Sequence, residues 1–193
     1  MIVAEEYKGK NIAVFGLGKS GLSAIESLVK AGANIFAWDD DSQISSKLSG
    51  LDVTVSNLSE VDFSNISSLV LSPGIPLNYP KPHPVVERAR KAGCEVIGDI
   101  EIFFRSKISA KIIGVTGTNG KSTTTSLITQ ILKDKSCSVQ IGGNIGTPIL
   151  SLDKMESDGS YIIEISSYQL DLLSNINLDF ALLLNIQPDH LDR

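Results

Sequence analysis

Short runs of aliphatic and β-branched residues alternate along this chain with longer segments of helical period. The runs predict strands at Asn11 to Phe15, Asn34 to Trp38, Asp52 to Val55, Leu69 to Ser72, Glu95 to Ile97, Lys111 to Val115, Val139 to Ile141, Tyr161 to Ile165 and Phe180 to Ile186. Several are apolar at nearly every position, as parallel strands covered on both faces require. Between them, Ser20 to Ala31 places Leu22, Ile25, Leu28 and Val29 on one face, and Ser122 to Lys133 places Leu127, Ile128, Ile131 and Leu132 at the same period. Both segments predict amphipathic crossover helices that bury those faces. Repeated strand, helix and strand predicts an α/β protein with a parallel sheet, because parallel neighbours need a crossover. The alternation restarts once, after a short apolar stretch at Asp99 to Ser106. A domain boundary is therefore expected near Gly98, dividing the chain into 1–98 and 99–193. The second unit stops just after a strand and a charged turn, which is abrupt for a doubly wound domain and leads to the expectation of a fragment.

Composition narrows the picture. With 42% apolar and 20% charged residues the chain can bury a core and is not of the disordered class. Its net charge of −5 gives no global positive field, so neither nucleic acid nor an anionic membrane is expected as a partner, and any polyanion must be gripped locally. Cys94 and Cys137 stand far apart, and with only His83 and His190 for company they make neither a disulfide framework nor a structural zinc site. A reducing cytoplasm is the expected setting. The start, MIVAEEYKGK, lacks the basic and then apolar order of a signal peptide, and the longest late apolar run, Phe180 to Leu184, is far short of a span of about 20 residues.

Two glycine loops carry the candidate chemistry. Gly16, Gly18 and Gly21 form GLGKSG after a strand and at the start of a helix, with Asp39 at the end of the next strand. That is the dinucleotide fingerprint: glycines let the backbone approach a diphosphate at a helix N-terminus, and a carboxylate accepts sugar hydroxyls. The pattern alone leaves NAD(P) or FAD, another nucleotide diphosphate and a purely structural tight turn all open. Ser72-Pro73-Gly74 ends another strand and is either a turn or a second phosphate contact.

The second loop is more specific. In IIGVTGTNGKSTT, the Gly-Lys-Ser between a strand and a helix is the phosphate loop of nucleotide hydrolases and kinases, although Val115 stands where the strict pattern has glycine. Backbone amides wrap phosphates, Lys121 supplies a positive charge to the β and γ oxygens, and the Ser122 hydroxyl can ligate Mg²⁺. Glu164, in an otherwise apolar strand, is costly without a partner; a salt bridge or a carboxylate on Mg²⁺ would account for it. His190, between Asp189 and Asp192, is either part of a helix-capping cluster or a second metal ligand.

A dehydrogenase needs no ATP loop, and a simple hydrolase needs no preceding dinucleotide-type unit. The pair asks for an enzyme that spends ATP on a nucleotide-linked substrate. Residues 116–123, TGTNGKST, resemble the phosphate loop of the Mur ligases, ATP-dependent amide ligases of bacterial peptidoglycan precursor synthesis. GLGKSG, SPGIP at 72–76, GDIEIF at 98–103, GGNIG at 142–146, EISSYQL at 164–170 and NIQPDHLDR at 185–193 extend the likeness along the whole chain. The SPG loop together with EISSYQL resembles the family's D-glutamate-adding branch rather than the other amino-acid-adding members or the folylpolyglutamate synthetases.

The resemblance implies a Rossmann-like first unit that binds UDP and the start of a phosphate-loop mononucleotide-binding unit after it. It puts Leu17, Gly18, Lys19 and Ser20 at the diphosphate, Asp39 near the uridine ribose or base, and Ser72, Pro73, Gly74 and Asn78 around the pocket. Gly117, Thr118, Asn119, Gly120, Lys121, Ser122, Thr123 and Thr124 would cradle ATP, while Ser122 and Glu164 hold one Mg²⁺ and His190 a second. Asn144 and Ser166 would meet the muramoyl-alanine part. Lys121, Glu164 and His190 are the expected catalytic residues. The implied reaction joins D-glutamate to UDP-N-acetylmuramoyl-L-alanine through an acyl phosphate, in a monomer. The family also has a C-terminal domain and a modified lysine beyond the DHLDR segment, so these residues alone are expected to be inactive. Gln187 and Tyr168 depart from the threonine and phenylalanine common in the family, at positions expected to stand clear of the ligands. An NAD-dependent oxidoreductase and a non-catalytic nucleotide sensor are the competing readings.

Overall fold

The computed structural model describes residues 1–41, 48–189 and 191. Nine strands and five α-helices form two parallel sheets among these residues. The first sheet holds β1 (Asn11–Phe15), β2 (Asn34–Trp38), β3 (Thr54–Val55), β4 (Ser68–Leu71) and β5 (Glu95–Ile97), in the order β3-β2-β1-β4-β5. The second holds β6 (Lys111–Thr116), β7 (Val139–Gly143), β8 (Ser160–Glu164) and β9 (Phe180–Leu183), in the order β7-β8-β6-β9. Helices α1 (Lys19–Ala31), α2 (Pro84–Lys91), α3 (Asp99–Arg105), α4 (Lys121–Asp134) and α5 (Ser167–Leu170) complete the set.

Period-two side-chain direction explains why β1 is apolar from Ile12 to Phe15. Ile12 and Val14 enter one core with Ala24, Ile25 and Leu28 of α1, whereas Ala13 and Phe15 enter another with Val85, Val86 and Ala89 of α2. The first core continues into the second half of the chain through Ile149, Leu150, Tyr161 and Ile163. Phe103 of α3 meets Tyr161 edge-on at 5.2 Å, and Ile2 N–H donates to the Leu150 carbonyl at 3.1 Å. Both sheets therefore rest on one continuous apolar layer.

Helix α3 belongs to the GDIEIF stretch and ties the halves together with buried acids. Glu101, fully buried, accepts hydrogen bonds from Ser174 N–H, Asn175 N–H, the Asn175 side chain and Arg105 Nε at 2.7–3.0 Å. Arg105 also pairs with Glu95 in a fork at 2.7 and 3.0 Å. Asp99 is less well served. One oxygen accepts Ile100 N–H at 3.0 Å while Oδ2 has no hydrogen-bond partner, so burial pushes its pKa up despite Ser20 and Gln169 beside it. An acid raised in the folded state favours folding while protonated and loses that contribution as pH rises through the raised value. Asp99→Asn keeps an acceptor for Ile100 and is expected to raise the melting temperature at about pH 8, with the gain vanishing towards about pH 4. Thermal melts across pH check this, and an unchanged melting temperature at the upper end would refute it.

Four expectations need correction. β3 is only two residues long, and β9 stops at Leu183, because the segment beyond turns towards the phosphate loop, with Thr118 N–H donating to the Asn185 carbonyl. β9 is not covered on both faces: Phe180 and Leu183 are exposed. Helix α4 does not bury Leu127 and Ile131, which are more than half exposed, but Thr125 and Thr129. Each threonine hydroxyl donates to the carbonyl four residues back, at 2.8 Å, and so enters the core with its polarity satisfied. Helix α1, by contrast, buries Ile25 and Leu28 as its period predicts. No helix among the described residues is long and apolar enough to cross a membrane.

Candidate functional site

Each glycine loop leaves its sheet where the strand order reverses, after β1 in the first and β6 in the second. Ligands of open parallel sheets lie at such points. In the first loop the three glycines have separate tasks. Gly16 takes φ +91°, and a Cβ there would lie 2.7 Å from Ser72 Cβ. A Cβ on Gly21 would lie 1.9 Å from the Gly16 carbonyl oxygen, so α1 can approach the loop only without it. Gly18 has nothing within 4 Å of that position and caps α1 with no side-chain hydrogen bond, leaving bare backbone at a positive helix end.

The surrounding side chains brace this loop. Leu17 buries its side chain and donates its N–H to Asp39 Oδ2 at 2.6 Å, while Asp41 N–H donates to Oδ1 at 2.9 Å. Asp39 is thus anchored to the loop, with a lone pair left on each oxygen. Ser72 Oγ donates to the Gly16 carbonyl at 2.8 Å, joining the Ser72-Pro73-Gly74 turn to the first loop across the crevice. Lys19 is exposed, Ser20 lies beside Asp99, and Asn78 accepts from Arg90 at 3.0 Å.

The second loop runs from β6 into α4. Gly117 at φ +140° and Gly120 at φ +85° adopt conformations that favour glycine, and a Cβ on Gly117 would crowd the Asn185 backbone at 3.1 Å. Lys121 folds back over the loop, its ammonium donating to the carbonyls of Gly117 at 2.6 Å and Thr118 at 2.9 Å. Parallel pairing aligns Val115 of β6 with Glu164 of β8, setting the carboxylate beside the loop's point of departure. Glu164 is 1% exposed; Oε1 accepts from Asn144 Nδ2 at 2.8 Å and Oε2 has no partner. A buried oxygen without a donor, at the carboxyl edge next to a Gly-Lys-Ser loop, fits a cation ligand, and among the described residues Glu164 makes no ion pair. Among the described residues no group of three His, Cys, Asp or Glu side chains gathers into a metal cage. His190 lies outside the described residues.

A cleft of about 540 Å³ gathers Thr116, Gly117, Thr118, Lys121, Asn144, Ser166, Tyr168, Asn185, Gln187 and Asp189. A neighbouring cleft of about 340 Å³ shares Ser167, Tyr168 and Asp189 and reaches Pro73 and Asn78, so the two form a track from the phosphate loop to the Ser72-Pro73-Gly74 turn. Ser166 caps α5 reciprocally with Gln169, which fixes the wall of this track. Ser122 and Thr123 stand exposed on the first turn of α4 outside the cleft lining, with Thr124 behind them. Gln187 and Tyr168 do not stand clear of the site: both line the cleft, and Gln187 bonds to the phosphate loop itself. Sequence reasoning missed this contact because Gln187 is far from the loop along the chain. The Ser-x-x-Gln spacing at Ser166 was a readable sign of α5.

Comparison with known proteins agrees with this arrangement. The MurD-like N-terminal domain of the Mur ligases matches residues 10–98, and the Mur ligase middle domain matches residues 115–193. UDP-N-acetylmuramoylalanine–D-glutamate ligase of Mesorhizobium japonicum is 46% identical over 197 aligned positions, covering 100% of this chain and 42% of that protein. The ligase of the same name from Wolbachia pipientis wMel is 51% identical, covering 97% of this chain and 36% of its own length. The chain thus spans about two fifths of the curated relatives it matches. The crystal structure of UDP-N-acetylmuramate:L-alanyl-gamma-D-glutamyl-meso-diaminopimelate ligase from Neisseria meningitides superposes with a TM-score of 0.56 at 20% identity, over 95% of this chain and 62% of that one, which shows a shared fold. With these matches and a phosphate loop seated at the switch point of a parallel sheet, the chain belongs to the Mur ligase family.

Proposed function

We propose that this chain is the UDP-substrate-binding and ATP-binding part of a ligase that joins D-glutamate to UDP-N-acetylmuramoyl-L-alanine. The observation that carries the reading is the pair of glycine cradles at two sheet switch points, with a track of side chains running from the second to the Ser72-Pro73-Gly74 turn that Ser72 ties to the first. Residues 1–98 hold the UDP moiety: Gly18, Lys19 and Ser20 at the start of α1 meet the diphosphate, Asp39 faces the ribose or base, and Ser72 to Gly74 with Asn78 close over it. Residues 99–193 hold ATP on Gly117 to Thr124. Asn144 and Ser166 orient the muramoyl-alanine end.

The substrate's terminal carboxylate attacks the γ-phosphorus of ATP, ADP leaves and an acyl phosphate forms. The amine of D-glutamate then attacks the acyl carbon, losing a proton as inorganic phosphate departs and the amide forms. Lys121 offers charge to the transferring phosphoryl group, and the first-turn N–H groups of α4 donate to the phosphate oxygens. Ser122 and Glu164 are the described residues that fit Mg²⁺, which when bound would neutralise phosphate charge; His190 is the further candidate. A cytoplasmic setting, the compartment that supplies ATP, suits this reaction.

The complete gene product, given labelled D-glutamate, UDP-N-acetylmuramoyl-L-alanine and Mg-ATP, should incorporate label with one phosphate released per amide. Absence of incorporation would overturn the reading. A thermal-shift comparison separates the oxidoreductase alternative: the UDP substrate should stabilise the protein and NADH should not, whereas stabilisation by NADH alone would reverse the assignment.

A further inference from the structure

We propose that Asn185 and Gln187, in the segment after β9, are positioning residues that clamp the phosphate loop and decide which of its N–H groups face the nucleotide. The proposal rests on the ATP reading of that loop. Its basis is six hydrogen bonds between residues that lie far apart in the chain. Thr118 N–H donates to the Asn185 carbonyl at 2.9 Å. The Asn185 carboxamide then takes both main-chain groups of Asn119, accepting its N–H and donating to its carbonyl, each at 2.9 Å. Gln187 adds the rest: its N–H donates to Thr118 Oγ1 at 2.9 Å, its carbonyl accepts from that hydroxyl at 3.2 Å, and its side-chain oxygen accepts from Asn119 Nδ2 at 3.0 Å.

Asn119 is exposed, so this clamp does not serve core packing. What it does is immobilise two loop residues between Gly117 and Gly120, whose positive φ values leave the loop without side chains to restrain it. Ordering a residue costs roughly 1–2 kcal/mol of backbone entropy, and a loop ordered beforehand does not charge that cost to nucleotide binding. The clamp also sets the direction of the cradle. With the N–H groups of Thr118 and Asn119 already bonded to Asn185, the anion is left to Gly120 and to Lys121, Ser122 and Thr123 after it, at the start of a helix that has no side-chain cap. Asp189, two residues past Gln187, lines the same cleft, so one stretch of chain both supports the loop and borders the reacting groups.

Asn185→Asp and Gln187→Ala in the complete gene product test this. The aspartate is nearly isosteric but sets an acceptor against the Asn119 carbonyl. Affinity for Mg-ADP, read by calorimetry, should fall about tenfold for Asn185→Asp and about threefold for Gln187→Ala. Affinity for UDP and the melting temperature should stay as in the unaltered protein, and the KM for ATP should rise more than kcat falls. Once Asn119→Ala has removed its partner, Gln187→Ala should have little further effect on Mg-ADP affinity. Unchanged Mg-ADP affinity in both variants, or full additivity with Asn119→Ala, would overturn the clamp while leaving the ATP reading intact. Failure of the unaltered protein to bind Mg-ADP would overturn the ATP reading itself.

Discussion

Lys121→Ala in the complete gene product should lower kcat/KM for ATP-dependent ligation by about a thousandfold or more, a loss of about 4 kcal/mol of transition-state stabilisation. The ammonium already donates to two carbonyls of its own loop and has a third hydrogen to offer, so it is poised at the rim where the β and γ oxygens would lie. Alanine removes the charge and leaves the Gly117 and Thr118 carbonyls to water. Those carbonyls border an open cleft, so the melting temperature should hardly move, which separates lost chemistry from lost fold. Arginine should not restore the rate, because its planar fork cannot occupy the compact position between the two carbonyls. Near-normal turnover in Lys121→Ala would remove the loop from the mechanism.

Much of the fold could be read from local pattern because doubly covered strands and their crossover helices have distinct periods. β1 and β2 begin and end where the pattern places them, and GLGKSG and TGTNGKST both open helices as their chemistry demands. What escaped was non-local or satisfied in an unexpected way. Helical periodicity marks Leu127 and Ile131 as inward, yet a threonine that bonds its own backbone can replace them against the sheet, and hydrophobicity alone does not register that option. Helix α2 is short and charged, so its apolar side of Val85, Val86 and Ala89 gave little periodic signal, although His83 before Pro84 was a usable start sign. Glu164 stood out because a carboxylate in an apolar strand demands a reason, whereas Asn185 and Gln187 act by folding back on a loop some sixty-six residues away, which no local reading detects.

The glycines of the first loop yield the other large effect, in the form of a contrast. Gly21→Ala should destabilise the protein by about 3 kcal/mol, since its Cβ would meet the Gly16 carbonyl oxygen, a backbone atom that can retreat only by dragging the loop off Ser72 and Asp39. Even below the melting temperature, UDP affinity should fall more than tenfold because the displaced loop is the proposed diphosphate cradle. Gly18→Ala has a different logic. At φ −71° the backbone suits alanine, and nothing lies within 4 Å of the new Cβ, so stability should be unchanged or slightly improved. That open space is where a diphosphate must approach, so UDP affinity should still drop while Mg-ADP binding at the second loop stays as it was. Melting curves and calorimetry with UDP and Mg-ADP on both variants decide the matter. If Gly18→Ala binds UDP as tightly as the unaltered protein, the bare backbone at the head of α1 serves the turn and not the ligand.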